Sequence, residues 1–184
     1  MNARAASAES RAVFGARPFT LLEVVVVLTL IGVLVGTAAR EIWSLRADAE
    51  RVAVKNMLGT LNSAIGIKVA ASLAEGDESA LVQLVRTNPM RLLAKLPENY
   101  AGEVDGDATR LKAGNWYFDR REHYLVYVVR YADHFQSAVA PAAQARFVLE
   151  PVYEDASGNG IFDPRADRLE GLRLVPVEPF KWTG

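Results

Sequence analysis

One uninterrupted apolar stretch near the N-terminus limits what this chain can fold into more than any other feature does. Residues 19–39 read FTLLEVVVVLTLIGVLVGTAA, and Glu23 is the only charged residue among them. At the rise of an α-helix these positions span about 31 Å, which is close to the hydrocarbon thickness of a bilayer. The sequence therefore predicts a membrane-spanning helix near the start of the chain.

The charges that precede this stretch predict its orientation. Arg4, Arg11 and Arg17 lie ahead of it and are accompanied by a single acid, Glu9. Positively charged flanks of a membrane span stay in the cytoplasm. We therefore expect a single-pass protein whose N-terminus is cytoplasmic and whose remaining chain lies across the membrane.

The bulk composition is that of a globular domain and excludes several functions. The chain has 184 residues, of which 51% are hydrophobic and 23% are charged, which is enough for one domain with its own core. A net charge of −1 with scattered basic residues gives no electrostatic basis for nucleic-acid binding. The lack of cysteine excludes disulfides, thiol catalysis and thiolate metal sites.

Two interpretations of the apolar stretch need no family comparison. It is a secretory signal peptide if Gly36, Thr37 and Ala38 form a small-x-small cleavage site, although the stretch is long for a signal core and contains an acid. It is an ordinary signal anchor if it only tethers a soluble domain, in which case Glu23 has no purpose. An ionisable residue at the start of a membrane span is costly, so it points to a function.

A third interpretation rests on the segment RPFTLLE, residues 17–23, which leads directly into the apolar stretch. This segment resembles the N-terminal signature of type IV pilins and type II secretion pseudopilins. The resemblance implies that a prepilin peptidase/methyltransferase cuts between Pro18 and Phe19, N-methylates Phe19 and leaves Glu23 as the assembly glutamate. Pro18 departs from the family pattern, in which glycine or alanine normally precedes the cut. Proline fixes its own backbone and lacks a donor, so it bears on whether processing is efficient.

The same resemblance implies a filament subunit rather than an enzyme. Burying a carboxylate and an ammonium costs several kcal/mol each, and pairing Glu23 with the N-terminus of a neighbouring subunit recovers part of that cost and sets the register. Thr20 lies in the same segment and is assigned to assembly with it. Gly32 and Gly36 are four residues apart, where small residues let helices approach closely, although glycine is also simply common in membrane spans.

The partners and the location follow from this resemblance. The expected partners are the prepilin peptidase/methyltransferase, other pilin or pseudopilin subunits, an inner-membrane assembly platform and membrane lipid. The protein is expected in the bacterial inner membrane with its head in the periplasm, and then in a periplasmic or surface filament. The alternative function is a signal-anchored periplasmic binding module that does not polymerise. Its binding either depends on calcium or does not.

After residue 40 the pattern becomes amphipathic. No proline occurs between Pro18 and Pro89, so we predict one helix from about residue 20 to Ala74, about 80 Å long, that ends at the turn of residues 75–77. Apolar residues recur along its second half at helical spacing and are expected to face a core: Ile42, Leu45, Ala49, Val52, Ala53, Met57, Leu61, Ala64, Ile65 and Val69.

The remaining residues predict a head of short helices and strands. We expect helices at residues 78–86 and 89–95, an exposed loop at residues 102–114, and a surface connection at residues 138–145. Four segments are rich in aromatic and β-branched residues and are predicted strands, the last two interrupted by Pro151 and Pro176, which favour edges or bulges: residues 115–119, 123–130, 146–153 and 172–177.

The predicted fold class is therefore α+β. A long N-terminal helix, transmembrane and then amphipathic, is expected to pack on a C-terminal antiparallel sheet and give the ladle shape of a pilin. The corresponding division is a basic leader at residues 1–18, a membrane and assembly segment at residues 19–39, and a periplasmic head at residues 40–184.

One loop of the head is a candidate calcium site. Residues 155–163 read DASGNGIFD, with oxygen-bearing side chains at alternate positions and glycine at the sixth, as at the start of an EF-hand loop. The twelfth position is Ala166 instead of glutamate, and the same run is an ordinary turn sequence, so both interpretations stay open. The candidate ligands are the side chains of Asp155, Ser157, Asn159, Asp163 and Asp167, with the carbonyl of Ile161.

No catalytic arrangement is visible in the sequence. His123 and His134 are the only histidines and form no metal-binding or triad spacing, so we predict that the protein is not an enzyme. Five aromatic residues fall at strand spacing and are expected in the core rather than on a binding surface: Trp116, Tyr117, Tyr124, Tyr127 and Tyr131.

Overall fold

The computed structural model describes residues 20–106, 111–138 and 143–183, with the backbone alone at residues 40–44. It is an α+β protein in which an apolar N-terminal helix is followed by a sheet with mostly antiparallel neighbours. The chain divides between Ile42 and Trp43 into two units. The predicted leader and Phe19 lie outside the described residues.

The long helix α1 (Leu21–Glu75) is continuous, as predicted. It begins after Thr20, whose Oγ1 accepts a hydrogen bond of 3.2 Å from the Glu23 N–H. It ends where Gly76 adopts φ +70°, a left-handed conformation that favours glycine. The Asp77 N–H then donates to the Ser72 carbonyl at 2.9 Å, and this closes the helix in the manner of a Schellman motif.

The second helix is shorter than predicted. Helix α2 (Glu78–Val82) ends four residues before the expected boundary at Arg86. Arg86 has φ +58°, and its N–H donates to the Leu149 carbonyl at 2.8 Å. This long-range hydrogen bond turns the chain toward a strand, so the helix cannot continue through residue 86.

The expected helix at residues 89–95 is a 3₁₀ helix confined to Pro89–Leu92. The Asn88 side chain caps it by accepting a hydrogen bond of 3.0 Å from the Met90 N–H. The predicted cap and first-turn proline are therefore confirmed, whereas the predicted length is wrong.

Within the described ranges, seven strands form two sheets. The larger sheet has the order β1-β2-β3-β5-β6, and β4 pairs with β7 in a separate antiparallel pair that the sequence patterns did not predict. A second 3₁₀ helix, Ala132–His134, precedes β4. The strands are β1 (Tyr100–Val104), β2 (Trp116–Asp119), β3 (Tyr124–Val128), β4 (Phe135–Ser137), β5 (Gln144–Glu154), β6 (Arg168–Pro176) and β7 (Phe180–Trp182).

Three of the strand predictions are confirmed by the pairing. Strands β2 and β3 form the expected antiparallel hairpin, with Tyr117 opposite Val126. Strand β5 pairs with β3 only as far as Phe147, so Pro151 lies where β5 has β6 as its only paired strand, beside a register shift. Strand β6 is at one end of the sheet order, which gives Pro176 the edge position that proline requires.

The predicted exposed loop is partly wrong, and one pair of the predicted antiparallel sheet is parallel. Residues 102–104 belong to β1, which pairs parallel to β2. Gly102 has φ +95° beside a register shift, and Glu103 is held by hydrogen bonds of 2.8 Å from Asn88 Nδ2 and Arg91 Nε. Specific side-chain bonds, rather than an alternating apolar pattern, hold this strand. The expected surface connection also ends early, because Gln144 starts β5; residues 139–142 lie outside the described residues.

The core of the second unit lies between the sheet and the later part of α1. Val54 and Leu61 belong to one buried cluster with Trp116 of β2, and Ile65 belongs to a second cluster with Leu149 of β5. Each such side chain contributes about 1.5–3 kcal/mol when it leaves water. The prediction that the sheet packs on the second half of the helix is confirmed.

The predicted apolar stripe of α1 is rotated from the observed one. Leu61 and Ile65 are buried as expected, but Leu45 and Val52 are 59% and 53% exposed. The buried stripe instead combines apolar residues with small and polar ones at helical spacing: Ala47, Glu50, Val54, Leu61, Ile65 and Ser72. Among the aromatic residues, Trp116, Tyr117 and Tyr127 are buried, and Tyr124 and Tyr131 are half-buried.

Candidate functional site

The start of α1 gives Glu23 a local structural role. Thr20 is the residue before the helix, and both its Oγ1 and its carbonyl accept bonds of 3.2 Å, from the N–H groups of Glu23 and Val24. The spacing T-x-x-E is that of a capping box, and an acid in the first turn is favoured by the helix dipole. Pro18 and Phe19, the predicted processing residues, lie outside the described residues.

The helix that follows is apolar on every side. Residues 21–39 have a mean hydropathy of 2.5, and none of that window is buried. By length and composition this segment is able to cross a membrane, and the later stretch Leu45–Glu75 passes the same test with 17% of its window buried. Apart from their chain neighbours and the nearby backbone of α1, Gly32 and Gly36 have no heavy atom within 4 Å of the position where a Cβ would stand. Both glycines are therefore open to close approach by another helix.

The second half of α1 has an exposed side without any charge. We call this the outer face of α1, since it lies opposite the buried stripe, and the charged residues of the helix flank it. Leu45, Val52 and Ile67 are its large apolar residues, with Ile67 72% exposed. Small or uncharged polar residues occupy its remaining positions: Ala49, Ala53, Asn56, Gly59, Thr60, Ser63, Ala70, Ala71 and Ala74. A helix face in contact with water is normally charged or polar.

A buried glutamate joins the second half of α1 to the sheet. Glu50 is 8% exposed, and its carboxylate accepts hydrogen bonds of 2.7 Å from the Tyr127 hydroxyl, 2.7 Å from the Arg130 N–H and 3.0 Å from the Tyr131 N–H. All three partners donate, so an acceptor-only carboxylate fits this position. Burial, and then the hydrogen bond to Glu50, raise the pKa of Tyr127.

The sequence patterns did not reveal this role of Glu50. Its spacing from Val54 and Leu61 placed it on the buried side of the helix, and that spacing was the available signal. Its charge argues against burial, because glutamate is almost never fully buried unless it is paired. Its partners lie 77 to 81 residues further along the chain, where no local pattern reports them.

The loop predicted as a calcium site is held by its own hydrogen bonds. The Asp155 carboxylate accepts from the N–H groups of Gly158 and Gly160 at 2.6 and 2.7 Å and from the Ser157 hydroxyl at 3.0 Å. These bonds, led by that from Gly160, lower the pKa of Asp155. Asn159 Oδ1 accepts from the Ile161 N–H at 2.7 Å.

The last candidate ligand, Asp167, closes this loop from the other end. It is 9% exposed, and its two carboxylate oxygens accept from the N–H groups of Ala156 and Asp163 at 3.1 and 2.8 Å. Asp163 in turn accepts from the Arg165 N–H at 2.9 Å. In the part of the chain that the structure describes, no three Asp, Glu or His side chains form a group that could hold a metal ion.

The two histidines have separate positions. His123 is exposed at the β2–β3 turn with φ +61°, and His134 Nδ1 lies 3.0 Å from the Thr183 carbonyl. They are therefore placed in a turn and against the C-terminal strand pair.

Comparison with known proteins gives no relative: no protein-family model matches the chain, and neither a curated protein nor a solved structure is significantly similar to it.

Proposed function

We propose that this chain is a structural subunit of a type IV pilus-like or type II secretion pseudopilus filament. In this proposal a prepilin peptidase/methyltransferase removes residues 1–18 and methylates Phe19, and α1 then moves from the inner membrane into a helical filament. The main support is that residues 21–39 are apolar on every side and unburied, with Glu23 as their only charge. Such a surface needs lipid or other apolar helices around it.

The outer face of α1 supports the same proposal. A tether to a soluble domain needs no uncharged surface beyond the membrane, whereas a subunit packed among other helices does. Leu45, Val52 and Ile67 supply apolar contact area there, and alanine and glycine between them permit close approach. In the filament this face is expected to meet the helices of neighbouring subunits, and in the cell the head lies on the periplasmic side.

The first test is the N-terminal residue of the mature protein. The intact mass and N-terminal sequence are measured on protein from its host, with and without the prepilin peptidase. We expect N-methylphenylalanine at Phe19 only in the strain that has the peptidase, which also shows that Pro18 permits cleavage. An intact Met1 in both strains contradicts the proposed processing.

The second test separates the two roles of Glu23. Glu23→Gln removes the charge but keeps the backbone N–H that bonds to Thr20, so the helix start is preserved. Thr20→Ala removes the cap, which costs about 0.5–2 kcal/mol of helix stability, and keeps the charge. We expect Glu23→Gln to abolish assembly, so that no cross-linked subunits are recovered in the sheared filament fraction. We expect Thr20→Ala to reduce the amount of cross-linked subunits less. Equal, small effects of both variants contradict the charge-pairing role.

A second candidate function is a signal-anchored periplasmic binding module that does not polymerise. The position of Glu23 in the first turn of α1 favours it, because the helix dipole stabilises an acid there without any second subunit. Its calcium-dependent form predicts that millimolar calcium raises the melting temperature of the full-length protein and that Asp155→Ser removes the effect. We expect no calcium-dependent shift, because the Asp155 carboxylate already accepts bonds from within the loop.

A further inference from the structure

A groove of about 700 Å³ runs along β5 beyond Phe147, where the pairing of β5 with β3 stops. We call it the β5-edge groove. Its walls are about half apolar. The apolar and aromatic side chains come from four parts of the second unit, namely the segment after α2, β3, β5 and the loop after β5: Val85, Tyr124, Val148, Pro151, Ile161 and Phe162. Its volume lies within the range of pockets that bind ligands, about 300–1,000 Å³. Ile161, on the loop wall, is 71% exposed, so an apolar rim is available to a ligand.

The backbone at this edge argues against the addition of another strand. Leu149 presents its carbonyl to the open side, where the Arg86 N–H already donates to it at 2.8 Å. Because backbone groups alternate in direction along an antiparallel strand, Pro151 faces the same side two residues later. Proline has no N–H to donate, so a continuous ladder cannot form there. Recognition in the groove therefore depends on side chains.

The charges in the groove favour an anionic ligand. Two arginines and one acid line it: Arg86, Arg173 and Glu150. Arg173 is 3.8 Å from Glu150, at the outer limit of an ion pair, and among the described residues Arg86 has no carboxylate within ion-pair distance. Guanidinium groups bind carboxylates through two parallel hydrogen bonds. Arg86 is thus the available anchor for a carboxylate.

The position of Arg86 is also maintained against a conformational cost. Its φ of +58° is uncommon for a residue with a side chain, and the bond from its N–H to Leu149 holds it there. Strained backbone of this kind clusters at ligand-binding sites. Glycine or asparagine would adopt the same conformation more easily, so the fold does not require an arginine at this position.

We propose that the β5-edge groove binds an extended peptide segment in which one carboxylate lies between apolar side chains. The carboxylate pairs with Arg86, and Arg173 provides a second positive charge. The apolar side chains rest against Tyr124, Pro151 and Ile161. The partner is a protein that presents such a segment to the head, and the site is independent of whether the chain forms filaments.

The test uses the full-length protein in lipid nanodiscs and two acetylated, amidated probe peptides. Both are apolar pentapeptides, one with a central glutamate and the other with a central glutamine. Saturation-transfer NMR measures their affinities, with empty nanodiscs as the blank. We expect the glutamate peptide to bind at least about tenfold more tightly, the size expected for a charge-assisted hydrogen bond.

Three variants identify the anchor. Arg86→Gly and Arg86→Asn both suit φ +58°, so they are expected to fold while weakening the glutamate peptide about tenfold or more. Arg121→Gly removes an exposed arginine of the β2–β3 turn outside the groove and should leave the affinity unchanged. Equal affinities for the two peptides, unchanged affinity in both Arg86 variants, or binding to empty nanodiscs alone would each overturn the proposal.

Discussion

The two parts of α1 differ in what their exposed surfaces require. Residues 21–39 are apolar all around, and the window they form has no buried residue. In residues 45–74 one stripe is buried, with Leu61 at 0% and Ile65 at 2% exposure, and the opposite stripe is exposed yet uncharged. One continuous helix therefore meets two environments: the sheet covers one stripe of its second part, while no described residue covers its first part.

The largest expected effect comes from the same substitution in the two parts. Leu61→Ala opens a cavity in the core and is expected to lower the free energy of unfolding by about 2–5 kcal/mol. Leu30→Ala, at a residue that is 59% exposed, should leave head unfolding unchanged. The near-UV circular dichroism of Trp116, whose ring centroid is 4.8 Å from that of Tyr127, reports head packing. Equal losses in the two variants would show that the two parts of α1 do not differ in burial.

The next effect contrasts the two glutamates of α1. Glu50→Gln places amide hydrogens among three donors, and we expect it to destabilise the head by about 1–3 kcal/mol. Glu23→Gln should not change head stability, although it is expected to change assembly. Denaturant unfolding of both variants measures the difference. An unchanged midpoint for Glu50→Gln would show that its hydrogen bonds contribute nothing net.

The pH dependence of head stability tests the contact between Tyr127 and Glu50. The raised pKa of Tyr127 means that the folded state favours the protonated hydroxyl. Its stabilisation is complete below the ordinary tyrosine pKa of about 10 and is lost as the pH rises from there toward the folded pKa. We expect the stability to fall above about pH 10 by at most about 1.4 kcal/mol per pH unit. In Tyr127→Phe this part of the slope should disappear.

The smallest expected change in stability is on the outer face of α1. Ile67→Lys alters a residue that is 72% exposed and is expected to change the free energy of unfolding by less than about 0.5 kcal/mol. It should nevertheless reduce filament assembly, because it puts a charge on an uncharged packing face. Ile67→Ser is the uncharged control and should assemble better. Normal assembly of the lysine variant would leave this face without a role in packing.

The helices and most strands were predictable because their signals are local. The uninterrupted pattern from Leu21 to Glu75 and the glycine after it predicted α1 to within a residue or two. The strands at Trp116 and Tyr124 followed from aromatic and β-branched residues. Strand β1 was missed because Gly102 and Glu103 lack that pattern, and distant side chains hold them in place.

The candidate sites were predictable to different degrees. Glu23 stands out in the sequence because a lone charge interrupts an apolar run, but its bond to Thr20 became visible only with the helix start. The loop at Asp155 was recognised by its spacing, whereas Asp167 as its closing residue was not. The β5-edge groove had no local signal, because Arg86 and Ile161 are far apart in the chain.

The long helix, its apolar first part and the type of most later elements follow from the order of residues alone. These depend on hydropathy, turn residues and caps within a few positions, which the order of residues states directly. Three features became visible only in the folded chain: which stripe of α1 is buried, the link that Glu50 makes between helix and sheet, and the open edge of β5 beside Arg86. Those features depend on residues about 60 to 80 positions apart meeting in the core, and such pairings come from packing as a whole rather than from local preference.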